Sequence, residues 1–310
     1  MNSLKKLKLF LKKAANLTPF PVWYAYGGDL SSLRRKINFF LFFSPSQRRI
    51  FSGEKDFLNR NASISDHSSF LFPYPFVFNY TDKPAEVYTD PENGLFYVMH
   101  DGKRLYYSRK FSTETEVRNA YNGISMEQDE NSPHCYMSDR FSVRENDTVV
   151  DIGAAEGNFS LDVIEKAGMV YIIEPDPDWI EALEATFRPW TDRVKIISKF
   201  VSDVDSGDNI TLSGLLGESR VDFIKMDVGG AESRIISSSQ ELLDRNPAVR
   251  LAVCTYHREK DADTTVRVLT SLGFSCTFTG GYMLYVFSNL APPYFRKTLI
   301  RAEKISGTSE

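Results

Sequence analysis

An open, mostly parallel α/β sheet of the nucleoside-binding type is the fold this 310-residue chain predicts, on three observations. Residues 148–176 read as strand, glycine turn, helix, strand and acid, the layout of a nucleoside-binding α/β half. Further apolar runs follow, each ending in polar residues and each succeeded by a helical pattern. Gly280-Gly281 then makes a tight reversal between two β-rich segments, which predicts a closing antiparallel hairpin.

Composition limits the classes available. The hydrophobic fraction of 42% and charged fraction of 25% are those of a globular protein. Net charge is −4, which argues against duplex nucleic acid as a partner, but it is unevenly spread. Residues 1–60 hold twelve Lys/Arg against three Asp/Glu, so the excess of acid lies in the remainder. Cys135, Cys254 and Cys276 are odd in number and widely spaced, which fits a reducing, cytoplasmic setting better than a disulfide framework. The longest apolar run, Ile37 to Phe43, falls far short of the roughly 20 residues that span a bilayer.

The chain divides into residues 1–111, a basic leader and β-rich accessory region; 112–144, a helix and linker; 145–290, the α/β domain; and 291–310, a tail. Residues 4–15 predict a basic helix. Phe39 to Phe43, bracketed by Arg34, Arg35, Lys36, Arg48 and Arg49, suit either a peripheral contact with an anionic membrane or a buried accessory segment. Strands are expected at Tyr74–Phe78, Gly94–Val98 and Arg104–Tyr107, the last two joined by a hairpin at Asp101-Gly102. Val117, Ala120, Tyr121 and Ile124 are spaced for a helix over 114–127. Glu127, His134 and Tyr136 follow it, either as lid contacts to a ligand cleft or in an exposed linker.

In the domain, Val149, Val150 and Ile152 predict the first buried strand. The turn after it reads Gly153-x-x-x-Gly157, not the G-x-G-x-x-G of dinucleotide sites, and it contains Glu156. An acid there would repel a pyrophosphate at the helix N-terminus. It suits a cationic or zwitterionic ligand, and S-adenosylmethionine carries both a sulfonium and an ammonium. Val170 to Ile173 is the second strand, ending in Glu174, placed to accept from ribose hydroxyls. Pro177–Trp190 is a helix and Val194–Val201 a third strand, after which Asp203 either accepts from an adenine amino group or caps a turn. A hairpin-like stretch, 209–216, leads to the fourth strand and to Asp227 at its carboxyl end. The fifth strand, Val249–Thr255, brings His257 to the same edge; Ser275–Thr279 and Tyr282–Phe287 close the sheet.

Four segments together resemble the FkbM family of S-adenosylmethionine-dependent methyltransferases. They are Asp151-Ile-Gly-Ala-Ala-Glu-Gly-Asn-Phe159, Ile173-Glu174-Pro, Val201-Ser-Asp203 and Ile224-Lys-Met-Asp227-Val-Gly-Gly-Ala-Glu232. The resemblance implies a class I methyltransferase fold, a seven-stranded sheet with an antiparallel last strand. It also implies O-methylation of a sugar, glycan or glycolipid-type hydroxyl, in keeping with polysaccharide biosynthesis. Asp151, Gly153, Glu156, Gly157, Asn158, Glu174, Ser202, Asp203 and Asp227 are the expected cofactor contacts. The family usually has Glu where this chain has Gly229.

His257 is the expected general base, because a neutral imidazole titrates near working pH. Asp227 would orient it, contact the methionine end, or join Glu232 as an oxygen ligand for Mg²⁺. The competing functions are a catalytically silent module that binds S-adenosylmethionine, and an NAD-dependent dehydrogenase, against which Glu156 argues. Ala291-Pro-Pro-Tyr294 lacks the acid or amide that opens a nucleic-acid amino-methyltransferase motif and follows the wrong strand.

Overall fold

The computed structural model describes residues 30–61, 71–80, 85–285 and 290–305. Seven strands form its main sheet: β1 Thr148–Ile152, β2 Met169–Ile173, β3 Val194–Ile197, β4 Phe223–Met226, β5 Arg250–Cys254, β6 Phe274–Phe278 and β7 Leu299–Lys304. Their spatial order is β3-β2-β1-β4-β5-β7-β6, with β7 antiparallel to both neighbours. That order and that single reversal are the class I methyltransferase sheet. The central strands are apolar along most of their length because both faces are covered. One face packs against the helices Asn158–Val163 and Pro177–Phe187 and the N-terminal region. The other packs against helices Glu232–Ser238, Gln240–Arg245 and Asp261–Ser271.

Register fixes where the site lies. Ile152 is paired with Ile173 on one side and Met226 on the other, so Gly153, Glu174 and Asp227 leave the sheet at one level. Met226 is in turn paired with Val253, which carries β5 toward His257 at the same edge. The chain direction of assembly reverses between β1 and β4, and ligands of open α/β sheets bind in the crevice at such a point.

The N-terminal region contains the expected strands at Phe96–His100 and Lys103–Tyr106, in an antiparallel sheet with Val87–Thr89. The Asp101-Gly102 hairpin is present, both residues having positive φ. Helix Glu114–Glu127 carries a capping box between Thr113 and Glu116. Residues 30–43, 45–50 and 52–60 are helices, the first burying Leu30, Leu33, Ile37 and Leu41 at helical spacing. The expected basic helix over 4–15 lies outside the described residues.

Four expectations need correction. The strand paired with β6 is β7, not Tyr282–Phe287: Met283–Leu284 instead pairs with Phe295–Arg296, and the segment expected as a tail returns into the sheet. Charged residues hid β7 in the sequence; Arg301 spends its guanidinium on the carbonyls of Cys135, Tyr136 and Met137. Pro75–Tyr80 is a 3₁₀ helix rather than a strand, since Pro75 has no amide N–H to give a ladder. The third strand stops at Ile197, and Phe200–Val201 pairs with Asn209–Ile210 in a separate ladder. Leu212–Leu216, read as part of a hairpin, is a short helix capped by Thr211.

Candidate active site

The first half of the site is built by the turn after β1. Gly153 has φ +76°, and a Cβ there would stand 2.0 Å from the Asp227 carbonyl oxygen, so only glycine lets the turn lie against the end of β4. Gly157, also left-handed, opens the following helix. Ala155 takes φ +49°, a conformation costly to a residue with a side chain, and its amide donates to Glu174 Oε2 at 2.8 Å. Glu174 Oε1 accepts from the Asp176 amide at 2.9 Å. Glu174 therefore ties the turn to the end of β2 while both its oxygens keep lone pairs for a ligand.

Acid predominates in this crevice. Asp151, Glu156 and Glu174 are all buried. The facing cation is Lys225 on β4, which donates to the Gly153 carbonyl at 2.6 Å and lies 3.0 Å from Asp151 Oδ1. Asp151 also accepts from Ser160 Oγ at 2.8 Å. Burial pushes the Glu156 and Glu174 carboxyls up to about 7, only partly offset by backbone amides and by the charge of Lys225.

The second half centres on Asp227. Tyr256 donates to it at 3.1 Å, Tyr136 Oη lies 3.4 Å from Oδ2, and His257 Nε2 lies 3.2 Å from Oδ1. The other ring nitrogen of His257 is 3.3 Å from Glu232 Oε1, which also accepts from the Val228 amide at 3.0 Å. Burial alone would lower the pKa of His257, but the two carboxylates outweigh it and hold the imidazole up to about 10. Burial likewise acts to raise the Asp227 pKa, yet His257 and Lys225 keep it below the usual carboxylate range. With a carboxylate facing each ring nitrogen, the site favours the imidazolium form of His257, so a role as general base requires that its proton first be released.

His134 completes the cluster, 3.9 Å from Asp227, 3.7 Å from Glu127 and 3.6 Å from the Cys254 sulfur. Burial lowers its pKa to about 4, so it stays neutral, and burial with the nearby Asp227 raises that of Glu127 well above the usual range. Glu127, His134 and Tyr136 therefore thread into the centre of the site instead of forming an exposed linker. Of the three groups among the described residues that bring three metal-ligating atoms within 4.8 Å of one another, two lie here: Asp227 with Glu232 and His257, and His134 with Asp227 and Cys254. Neither fits Mg²⁺, which takes oxygen ligands in a near-ideal octahedron. In the first set the His257 ring already stands between the two carboxylates as their cation.

Not all expected contacts converge. Asn158 begins the helix after the glycine turn. Ser202 and Asp203 lie past the short ladder of Phe200–Val201, where Asp203 is half-exposed, hydrogen-bonded to Ser202 and 3.3 Å from Arg234. Lys225 and Tyr256 are the functional candidates sequence reasoning passed over. A lysine within the apolar run Phe-Ile-Lys-Met was the available signal, because a cation buried in a central strand must have partners.

With this geometry in place, comparison with known proteins decides the family. Residues 98–278 match the model of the Methyltransferase FkbM domain, more than half of the chain. The chain belongs to the FkbM methyltransferase family. That FkbM match contains both halves of the site but ends before β7 and leaves out the helices over 30–60. No curated protein matches the sequence. Among solved structures the FkbM chain is similar to M. jannaschii TYW2 in complex with AdoMet, at 14% identity, 72% of this chain, 94% of that one and a TM-score of 0.40. It is also similar to an rRNA methylase from Streptococcus thermophilus (17%, 53% and 90%, TM-score 0.37). A third is precorrin-6y C5,15-methyltransferase from Geobacter metallireducens (15%, 52% and 81%, TM-score 0.34).

Proposed function

We propose that this FkbM-family, S-adenosylmethionine-dependent methyltransferase acts on a hydroxyl of a sugar, glycan or glycolipid-type acceptor. One observation carries the reading: a crevice with more buried carboxylates than buried cations, at the level where Gly153, Glu174 and Asp227 leave the sheet. Such a crevice favours a cationic cofactor and opposes a phosphodiester backbone. The cofactor, when bound, supplies an electrophilic methyl group. Glu174 would accept from its ribose hydroxyls, the turn at 153–157 would take its backbone-facing side, and Glu156 and Asp227 would balance its positive charge.

Around Asp227 the available groups are hydroxyls, carboxylates and imidazoles, a set suited to a neutral polyhydroxyl acceptor. His257 and Asp227 are the proposed proton-handling pair. His257 can accept a proton only in its neutral form, and it reaches that form more easily once Asp227 is shared with a bound cation. Glu127, His134 and Tyr136 would shape the acceptor side, and Ser202 and Asp203 the outer, adenine side of the cleft.

The test is a methyl-release assay with a panel of neutral glycans and glycolipids and with RNA as a control. Turnover with a hydroxyl acceptor and none with RNA is expected. Transfer to RNA alone overturns the acceptor class, and tight cofactor binding without turnover on any acceptor points to a silent binding module.

A further inference from the structure

The helix Leu30–Phe43 has two apolar faces, and the fold uses one of them. Leu30, Leu33, Ile37 and Leu41 are buried. Phe39, Phe42 and Phe43 point outward, exposed at 69%, 66% and 67%. Phe43 packs its ring against both Phe39 and Phe42, at 4.9 and 5.0 Å between centroids. An outward cluster of three phenylalanines is apolar surface that a soluble fold rarely leaves in contact with water unless something covers it. Beside it lies an open groove of about 860 Å³, lined by Phe39, Phe40, Phe43, Pro292 and Tyr294 on its apolar side and by Lys36 on its polar one.

The charge around the cluster has one sign. From residue 30 to residue 53 the sequence contains five Lys/Arg and no Asp or Glu. Lys36, Arg48 and Arg49 are exposed, and so is Ile50 on the neighbouring helix. Aromatic rings flanked by exposed cations are the two ingredients of attachment to an anionic lipid surface, rings entering the headgroup boundary and cations held by the surface potential. Other occupants fit the charge less well. The leader, with Lys5, Lys6, Lys8, Lys12 and Lys13, is itself basic. A second copy of the same face would set like charges against one another across a two-fold axis.

We infer that the outward face of helix 30–43 docks this protein on the surface of an anionic lipid bilayer. The face is linked to the acceptor side of the site through a short path. Phe40 stacks edge-on against Tyr294 at 5.8 Å, and two residues on Arg296 donates to the carbonyls of Tyr256 and His257 at 2.6 and 2.7 Å. Docking there would bring the Asp227–His257 half of the site close to the lipid, where a glycolipid acceptor would be presented; that last step rests on the proposed function, and the docking does not.

The test is flotation of the full chain with vesicles of phosphatidylcholine alone and of an equal mixture of phosphatidylcholine and phosphatidylserine. Binding to the mixed vesicles, falling as salt is raised, is expected. Phe39→Ser, Phe42→Ser and Phe43→Ser combined should lower it by about tenfold or more while leaving the leader and the cofactor affinity intact. Arg48→Glu with Arg49→Glu should lower it further at low salt. Equal flotation of the triple serine variant would overturn the inference, as would a wild-type chain that does not float and is a dimer which the same variant dissociates. Flotation is read without any acceptor, so its failure is distinct from failure of the methyl-release assay.

Discussion

The two halves of the site bury carboxylates equally well and leave them in opposite states. At the ends of β1 and β2, Glu156 and Glu174 accept backbone amides, and burial lifts both to about 7. At the ends of β4 and β5, Asp227 has an imidazolium at 3.2 Å and two tyrosine hydroxyls, and it stays ionised. The difference is the partner, since backbone dipoles offset part of the cost of burying a charge and a full countercharge offsets far more. One half is complete as it stands. The other holds carboxyls that gain most when a cation arrives, which is what a sulfonium cofactor brings.

Three substitutions or conditions can break this contrast. Removing the cation of the completed half has the largest expected effect. His257→Ala leaves Asp227 and Glu232 buried against each other, a loss of roughly 3–5 kcal/mol in stability. Turnover should fall by roughly 10²-fold or more, and cofactor affinity should change far less. Thermal unfolding alongside the methyl-release assay checks both; a variant with full stability would show that the imidazolium is not what balances the two acids.

Next comes pH. Glu156 and Glu174 titrate at 4.5 when unfolded and at about 7 when folded, so the stability they lend is present at low pH and is lost as pH rises through about 7. His134, lowered from 6.5 to about 4, acts in the opposite sense and costs stability as pH falls through that window. His257, raised from 6.5 to about 10, contributes stability below 6.5 that is lost only as pH rises through about 10. Cofactor binding favours the ionised glutamates, so affinity for S-adenosylmethionine should rise about tenfold between about pH 6 and about pH 8, with proton release. Calorimetry in buffers of different ionisation enthalpy measures that release, and Glu174→Gln should halve it.

The smallest effect concerns Gly229, where the sequence resemblance implies a Glu in the family. Its φ is +71° and a Cβ would meet nothing within 4 Å, so the position is open in space and restricted in backbone. Gly229→Glu should cost about 1–2 kcal/mol from the left-handed conformation alone, read as a lower unfolding midpoint.

Much of this was legible in the chain because the parallel strands are continuous apolar runs with their chemistry at their carboxyl ends. Gly153, Glu174 and Asp227 each follow such a run, and register alone brings them level. What the sequence hid was carried by long-range pairing. β7 is masked by Arg301 and Lys304, whose partners lie far away in the chain. The state of His257 depends on Glu232 and Asp227 arriving at both ring nitrogens at once, a distance that spacing does not give. Residues 127–136 look like a polar linker until Arg301 and Thr279 fasten their carbonyls and draw His134 inside.

Calorimetric titration of S-adenosylmethionine into the wild-type chain and into Glu174→Ala weighs the account on its own ground. Binding to the wild type, with affinity lower by about tenfold or more in the variant, is the expected result, since a charged acceptor of ribose hydroxyls is lost. Equal affinity in the two proteins would contradict it, and would move the cofactor away from the ends of β1 and β2.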